Sequence, residues 1–291
     1  MSAVMHAGWN FLGKRRRTSV GLYALAFLWV GIVGLPWVIQ AWDMVASFNT
    51  VIIGLVIATG FSQALYMIGL TLAYQNGELS VVYPLLRSMP LVILPVVGFV
   101  LDLPGDVGIG AMVGIGLIVC GCVFLPMNHF RDIKLAHYVN WATLFALIAA
   151  AGTAGYSLID DQATRLIRAL PGLSLSAGHI ALIYVFLQAW STAGWLYLAI
   201  WIKPAWRENA PATFSLHSQA LQTGILLMGT YAMVVWAMAY ARDVSYVVAF
   251  RQISILLGVA LGLTVLKERL TAPKLAGSVL VFAGLVWVAL G

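Results

Sequence analysis

Long apolar stretches separated by short polar turns run along almost the whole chain. A stretch needs about 20 apolar residues to cross a bilayer as a helix. Nine stretches reach about this length, and a tenth, over residues 1–13, is too short to cross the bilayer alone. The pattern therefore predicts an all-α integral membrane protein with about ten transmembrane helices. Nine stretches of suitable length are predicted helices, at residues 19–40, 50–74, 79–101, 107–126, 138–159, 178–201, 217–241, 245–266 and 273–290.

Composition agrees with this class of protein. Of the 291 residues, 62% are hydrophobic and 9% are charged, whereas a soluble domain carries about 25% charged residues. The net charge of +6 does not indicate nucleic-acid binding, because most basic residues lie in short loops that set membrane topology. Cys120 and Cys122 are two residues apart on one predicted helix and point in different directions, so we predict no disulfide.

Two segments of the chain, residues 72–88 and 238–252, resemble each other. Each runs from the end of one predicted helix through a polar turn into the next apolar helix. Each carries a serine near the start of that helix and an arginine about two turns later. A repeated charge inside the membrane is typical of a transporter built from two structural repeats. The pairs are Ser80 with Arg87 and Ser245 with Arg251.

Further matches divide the chain into two halves. The spacing from Gly114 to Gly121 recurs from Gly277 to Gly284. The first apolar stretch matches the end of the helix predicted at 138–159, so we predict that the first helix is truncated. Five helices per half is an odd number, and the second half should therefore be inverted relative to the first. The predicted units are a first repeat at 1–126, a linker at 127–137 and a second repeat at 138–291.

The distribution of Lys and Arg predicts an orientation. Loops on one side would carry eleven of the 16 Lys and Arg residues, and loops on the other side would carry three. The basic side of a membrane protein faces the cytoplasm. This count places both termini outside the cytoplasm.

Five stretches of the chain carry a family resemblance, namely His6–Asn10, Ala64–Leu70, Leu79–Arg87, Val244–Gln252 and Leu266–Leu270. Together they resemble the EamA-type branch of the drug/metabolite transporter superfamily. The resemblance covers nearly the whole chain. It implies ten helices in two inverted five-helix repeats around a central cavity, and the movement of small metabolites, often as export. It also implies cytoplasmic termini, in disagreement with the Lys and Arg count.

The two repeated arginines are the first candidates for chemistry. Arg87 lies about 10 Å along its helix from Ser80, and Arg251 about 9 Å from Ser245, at 1.5 Å per residue. Because the two helices enter from opposite faces, both cations approach the midplane. The planar guanidinium suits a carboxylate or phosphate. The alternative is a structural arginine that holds backbone carbonyls or a carboxylate at a broken helix.

Polar and aromatic side chains on the same or neighbouring helices complete the candidate site. Tyr83 lies one turn from Arg87 and shares its face. Tyr and Trp suit a cavity that grips amphipathic solutes, although they also form belts at the membrane interfaces. The candidate substrate-binding residues are Arg87, Tyr83, Ser80, Tyr66, Arg251, Gln252, Trp236, Trp9 and Asn10.

His6 and Asp160 are the candidates for carrying a proton. His6 shares a helix face with Trp9 and Asn10, and packing or a hydrogen bond is the alternative role. Asp160 and Asp161 directly follow the helix predicted at 138–159, so we expect a solvated helix end and keep proton binding as the alternative. No predicted helix has an evident carboxylate at mid-depth, which argues against proton-coupled export of cations.

The leading hypothesis is a secondary transporter or facilitator that exports a small polar metabolite, an amino acid or an organic anion, by alternating access. A second hypothesis is a proton-coupled multidrug or cation exporter. An intramembrane enzyme is a remote alternative, because no metal-ligand spacing or catalytic helix motif occurs. We predict no cofactor, metal or nucleic-acid partner. The expected partners are a small-molecule substrate and the lipid bilayer of a bacterial inner membrane, with the chain as a monomer or homodimer.

Overall fold

A computed structural model describes residues 19–76, 79–100, 108–124, 127, 129–131, 140–207, 215–251 and 271–290. Every regular element in these residues is helical. A short helix, Trp42–Ala46, follows the first of the main helices. The main helices are α1 Val20–Gln40, α2 Thr50–Asn76, α3 Leu79–Val100, α4 Ile109–Phe124, α5 Trp141–Arg168, α6 Ala177–Ile202, α7 His217–Met238, α8 Val244–Arg251 and α9 Ala272–Leu290.

Length and composition make five of the described helices candidate membrane spans, namely α1, α2, α5, α6 and α7. The prediction of an all-α membrane protein is confirmed. The predicted count of about ten spans is not reproduced in the described residues. The helix α4, for example, has 16 residues, and it rises about 24 Å where a bilayer core is about 30 Å thick.

Local sequence sets where several helices begin. Ser19, Asn140 and Ser176 precede α1, α5 and α6, and each side chain accepts a hydrogen bond from a backbone N–H in the first turn. Such caps satisfy donors that a helix start would otherwise leave unpaired. The turn after α5 contains Gly172, whose φ of 74° suits a residue without a side chain. No disulfide joins Cys120 to Cys122, as predicted.

Glycines bring α2 and α5 into close backbone contact. A Cβ on Gly152 would lie 2.7 Å from the backbone oxygen of Ser62, and one on Gly69 would lie 2.8 Å from the backbone nitrogen of Ala149. Small residues at such positions let membrane helices approach closely and gain dispersion energy. This approach holds α2 beside the buried side of α5, where the candidate site lies.

A second close contact joins α4 to α9, near the end of the described chain. A Cβ on Gly114 would lie 2.8 Å from the backbone oxygen of Gly284, and one on Gly121 would lie 2.6 Å from that of Gly277. As the residue number rises on α4 it falls on α9, so the two helices run antiparallel.

Candidate functional site

Asp160 is a fully buried carboxylate, with a relative exposure of 0%. It lies on α5, which continues for eight residues beyond it to Arg168, about 12 Å at 1.5 Å per residue. The prediction that Asp160 sits at a solvated helix end is therefore wrong. The carboxylate also lies within a helix and not after its end, because α5 extends nine residues past its predicted end at residue 159.

Four neutral side chains from three other helices donate hydrogen bonds to this carboxylate. Oδ1 accepts from the Thr59 hydroxyl on α2 and, at 2.7 Å, from the Tyr184 hydroxyl on α6. Oδ2 accepts from the Tyr231 hydroxyl on α7 and, at 2.9 Å, from the Gln188 amide nitrogen on α6. We call these five residues the Asp160 network.

Burial of a carboxylate costs several kcal/mol unless partners replace the lost water. Each hydrogen bond to a charged group contributes about 1.5–3 kcal/mol, so four donors offset much of that cost. All four donors come from other helices, so the Asp160 network ties α5 to α2, α6 and α7. Polar groups that serve only to stabilise are seldom assembled at this cost inside a membrane protein.

Aromatic rings extend the site on one side of Asp160. The ring of Tyr231 meets that of Tyr156 edge-on, with centroids 5.2 Å apart, and Tyr156 meets Tyr66 at 5.9 Å. Arg251 on α8 lies over the Tyr231 ring, with its Cζ 5.8 Å from the ring centroid. The structure thus brings two predicted residues, Tyr66 and Arg251, to the surroundings of Asp160.

Trp236 is placed elsewhere. It lies five residues after Tyr231 on α7, about 140° around the helix, and it is 49% exposed. A Cβ on Gly178 would lie 3.7 Å from its indole nitrogen, so Trp236 sits beside the start of α6. Its predicted role in the same cavity as Tyr66 gains no support from this position.

Several predicted residues lie outside the described part of the chain. His6, Trp9, Asn10 and Gln252 belong to this group. The backbone of α3 contains three more predicted residues, whose side chains are not among those described. Their roles stay predictions. The three residues are Ser80, Tyr83 and Arg87.

The candidate residues predicted from the sequence did not include any of the four donors, Thr59, Tyr184, Gln188 and Tyr231. Two signals could have revealed the site. Tyr184 and Gln188 lie one turn apart on an otherwise apolar helix, a spacing that puts two polar groups on one face. Arg165 follows Asp161 at the same spacing and bonds to it at 2.8 Å, which is typical of a continuing helix rather than a helix end.

The described residues contain no cluster of three or more His, Cys, Asp or Glu side chains that could hold a metal ion. The chemistry available at the site is therefore that of one carboxylate, phenolic hydroxyls, amides and a guanidinium. Such a set can bind a proton, an ammonium group or an anion through different members.

We expect Thr59→Val to destabilise the protein by about 1–3 kcal/mol, because it removes a donor from a buried carboxylate. The matched control is Thr71→Val on the same helix. Thr71 is equally buried, but its hydroxyl bonds only to the Met67 carbonyl of its own helix. Thermal unfolding of the purified variants in detergent measures the difference. Equal losses for the two variants would show that the bond from Thr59 to Asp160 contributes nothing.

The fold and this site together define an all-α membrane protein with a buried, fully hydrogen-bonded carboxylate. A solved structure, described only as a crystal structure of a protein, is similar to this chain with a TM-score of 0.60 and 16% sequence identity. The match covers 99% of this chain and 95% of that one, and at this identity it shows the fold alone. No family model and no curated protein matches the sequence.

Proposed function

We propose that this protein is a secondary transporter that exports a small polar metabolite by alternating access. The observation that carries the proposal is Asp160, a buried carboxylate on a membrane-spanning helix, connected through Tyr231 to the cation of Arg251. Ionisable groups at such positions mark substrate and ion pathways. The resemblance to EamA-type transporters supports the same class.

The proposal includes ten helices in two inverted repeats, at 1–126 and 138–291, joined by a linker. Support comes from the crossing of α4 and α9. A twofold axis that exchanges the repeats would exchange Gly114 with Gly277 and Gly121 with Gly284. The contacts Gly114–Gly284 and Gly121–Gly277 would then map onto each other, as an axis in the membrane plane between the two helices requires.

Helix neighbours give a second line of support for the repeats. The proposed axis would exchange α1 with α6 and α2 with α7. The contact of α6 with α2 then corresponds to the contact of α1 with α7, and both contacts are present. The helices α1 and α6, which the axis would exchange, would face each other across it, and these two helices do pack against each other.

The charges at the site favour a zwitterion as the substrate. A carboxylate at Asp160 accepts from the Tyr231 hydroxyl, and a guanidinium at Arg251 lies over the Tyr231 ring. They would attract the ammonium and the carboxylate of an amino acid, respectively. A purely anionic solute would meet repulsion from Asp160, so an amino acid is favoured over an organic anion.

A proton-coupled exporter of organic cations is the second candidate, and Asp160 favours it. The sequence disfavoured this function because no predicted helix had an evident carboxylate at mid-depth, whereas Asp160 is buried within α5. In this case Asp160 would bind the cation or the proton, and Arg251 would be structural.

A thermal-stability screen of the purified protein separates the two candidates. The panel contains amino acids, organic acids and organic cations. A ligand at 100 times its dissociation constant should stabilise the fold by about 2.7 kcal/mol. We expect stabilisation by one group of amino acids, lost in Arg251→Gln and retained in the control Arg207→Gln, which changes an exposed arginine.

Stabilisation by organic cations alone, unchanged in Arg251→Gln, would instead favour the cation exporter. If no compound stabilises the folded protein and vesicles containing it exchange none of the panel, the transport proposal fails.

A further inference from the structure

Only the nitrogen of the Gln188 side-chain amide forms hydrogen bonds with the described residues. Its nitrogen donates to Thr59 Oγ1 at 2.8 Å and to Asp160 Oδ2 at 2.9 Å, which uses both of its hydrogens. Its oxygen, Oε1, is buried and has no hydrogen-bond partner among the described residues. An unpaired buried acceptor is costly, so this orientation of the amide is maintained by the two acceptors in front of its nitrogen.

Both acceptors depend on Asp160 acting only as an acceptor. Its Oδ2 accepts from Gln188 directly, and its Oδ1 accepts the Thr59 hydroxyl hydrogen, so that Thr59 Oγ1 can accept from Gln188. The two oxygens of Asp160 receive four donated hydrogen bonds. A protonated carboxyl group, in contrast, carries an O–H that must donate. The unpaired oxygen of Gln188 is an acceptor on a side chain that already contacts Asp160.

We propose that Asp160 is a proton-binding site and that Gln188 is its positioning residue, whose amide rotates when the proton binds. A proton from the aqueous phase forms an O–H bond at Oδ2 of Asp160. The Gln188 nitrogen leaves Oδ2 and Thr59, and Gln188 Oε1 accepts the new O–H. The reverse rotation accompanies release of the proton to water.

A second glutamine offers an acceptor for the displaced nitrogen. Gln63 lies one turn from Thr59 on α2 and is 2% exposed, and its Oε1 is also buried without a partner in the described part of the chain. The Gln188 nitrogen already bonds to Thr59, which lies four residues, or about one turn, before Gln63 on the same helix. Rotation pairs the Gln188 oxygen with the new O–H, and the Gln63 oxygen one turn along α2 is the acceptor that we propose for the displaced nitrogen.

Among the described residues, few other titratable or charged groups lie close to Asp160 and could bind the proton in its place. The titratable groups facing it are the hydroxyl of Tyr184 on α6 and that of Tyr231 on α7. Arg251 of α8 lies behind the Tyr231 ring. From α2 the contact is the non-titratable Thr59. On α5, the nearby groups are Tyr156 and Asp161 with its partner Arg165.

This inference goes beyond the proposed function, because a proton can bind Asp160 whether or not the protein transports a metabolite. In a transporter, the rotation would replace the bond from Gln188 to Thr59 and so change how α6 holds α2. The test therefore reads the amide and the carboxyl group directly and does not depend on any transport assay.

The experiment uses the full chain labelled with ¹⁵N-glutamine and observed by NMR in detergent micelles. The side-chain amide signal of Gln188 is identified by its loss in Gln188→Met. We expect this signal to move on acidification of the wild type. The variant Asp160→Asn carries a neutral donor in place of a protonated carboxyl group. It should show the acidified position already at neutral pH, while the signal of the exposed Gln222 stays fixed.

Infrared difference spectra provide a second measurement that needs no Gln188 variant. Acidification should produce a carboxylic acid C=O band that is absent in Asp160→Asn. The proposal is overturned if no such band forms. It is also overturned if the Gln188 amide signal is the same in the wild type at both pH values and in Asp160→Asn.

Discussion

We expect the variant Asp160→Asn to lose most of the proposed transport while the protein remains folded. Asparagine has almost the same shape, and its amide can still form hydrogen bonds with Tyr184 and Tyr231. Because the amide is neutral, it can neither take up a proton nor attract an ammonium group. We expect the transport rate in reconstituted vesicles to fall at least tenfold, the change that a loss of about 1.4 kcal/mol produces. Counterflow of a labelled substrate found in the stability screen measures this rate.

The neighbouring carboxylate gives a matched control for that experiment. Asp161 lies next in the chain, is partly exposed, and pairs with Arg165 one turn later. Asp161 takes no part in the Asp160 network, and an ion pair at this helical spacing contributes only about 0.3–0.5 kcal/mol, so Asp161→Asn should retain transport within a factor of about two. Equal transport in Asp160→Asn and the wild type would remove Asp160 from the function and leave it a structural group.

Replacing Gly121 by valine prevents stable packing of α4 against α9. A Cβ at this position would lie 2.6 Å from the Gly277 oxygen and 2.9 Å from the Val281 nitrogen. Both atoms belong to the backbone, so the side chain cannot be accommodated by a rotamer change. Overpacking typically costs 1–3 kcal/mol, and we expect a loss of about 3 kcal/mol or more here.

Gly116 on the same helix provides the control, because a Cβ there meets no atom within 4 Å. Gly116→Val should unfold at nearly the wild-type temperature in detergent, and Gly121→Val should unfold well below it or fail to accumulate. Similar unfolding temperatures for both variants would show that α4 and α9 do not pack through these glycines in the membrane protein.

The positions of the helices could be read from the sequence, because each spanning helix must be apolar over most of its length. Described helices are present at all nine predicted stretches, with α8 described only as far as Arg251. The end of α5 was the main error. Asp160 and Asp161 interrupt the apolar run, and the prediction placed the helix end there, whereas the helix continues because its polar residues have partners inside the protein.

The site was only partly predictable for a related reason. Tyr66 and Arg251 were recognised because polar groups in an apolar helix stand out. Thr59 and Gln188 are short or neutral residues that a membrane helix tolerates in many positions. Nothing in the local sequence shows that their partner is a carboxylate on a different helix.

By itself, the sequence determined that this is an all-α membrane protein, because the bilayer admits few charges and forces each spanning segment to be apolar. It also contained the paired glycine spacings of α4 and α9. Only the tertiary structure decided that Asp160 is buried and which four side chains donate to it. Those donors lie 24, 28, 71 and 101 residues away in the chain, and hydrogen bonds act over a few ångströms, so helix packing alone brings them together.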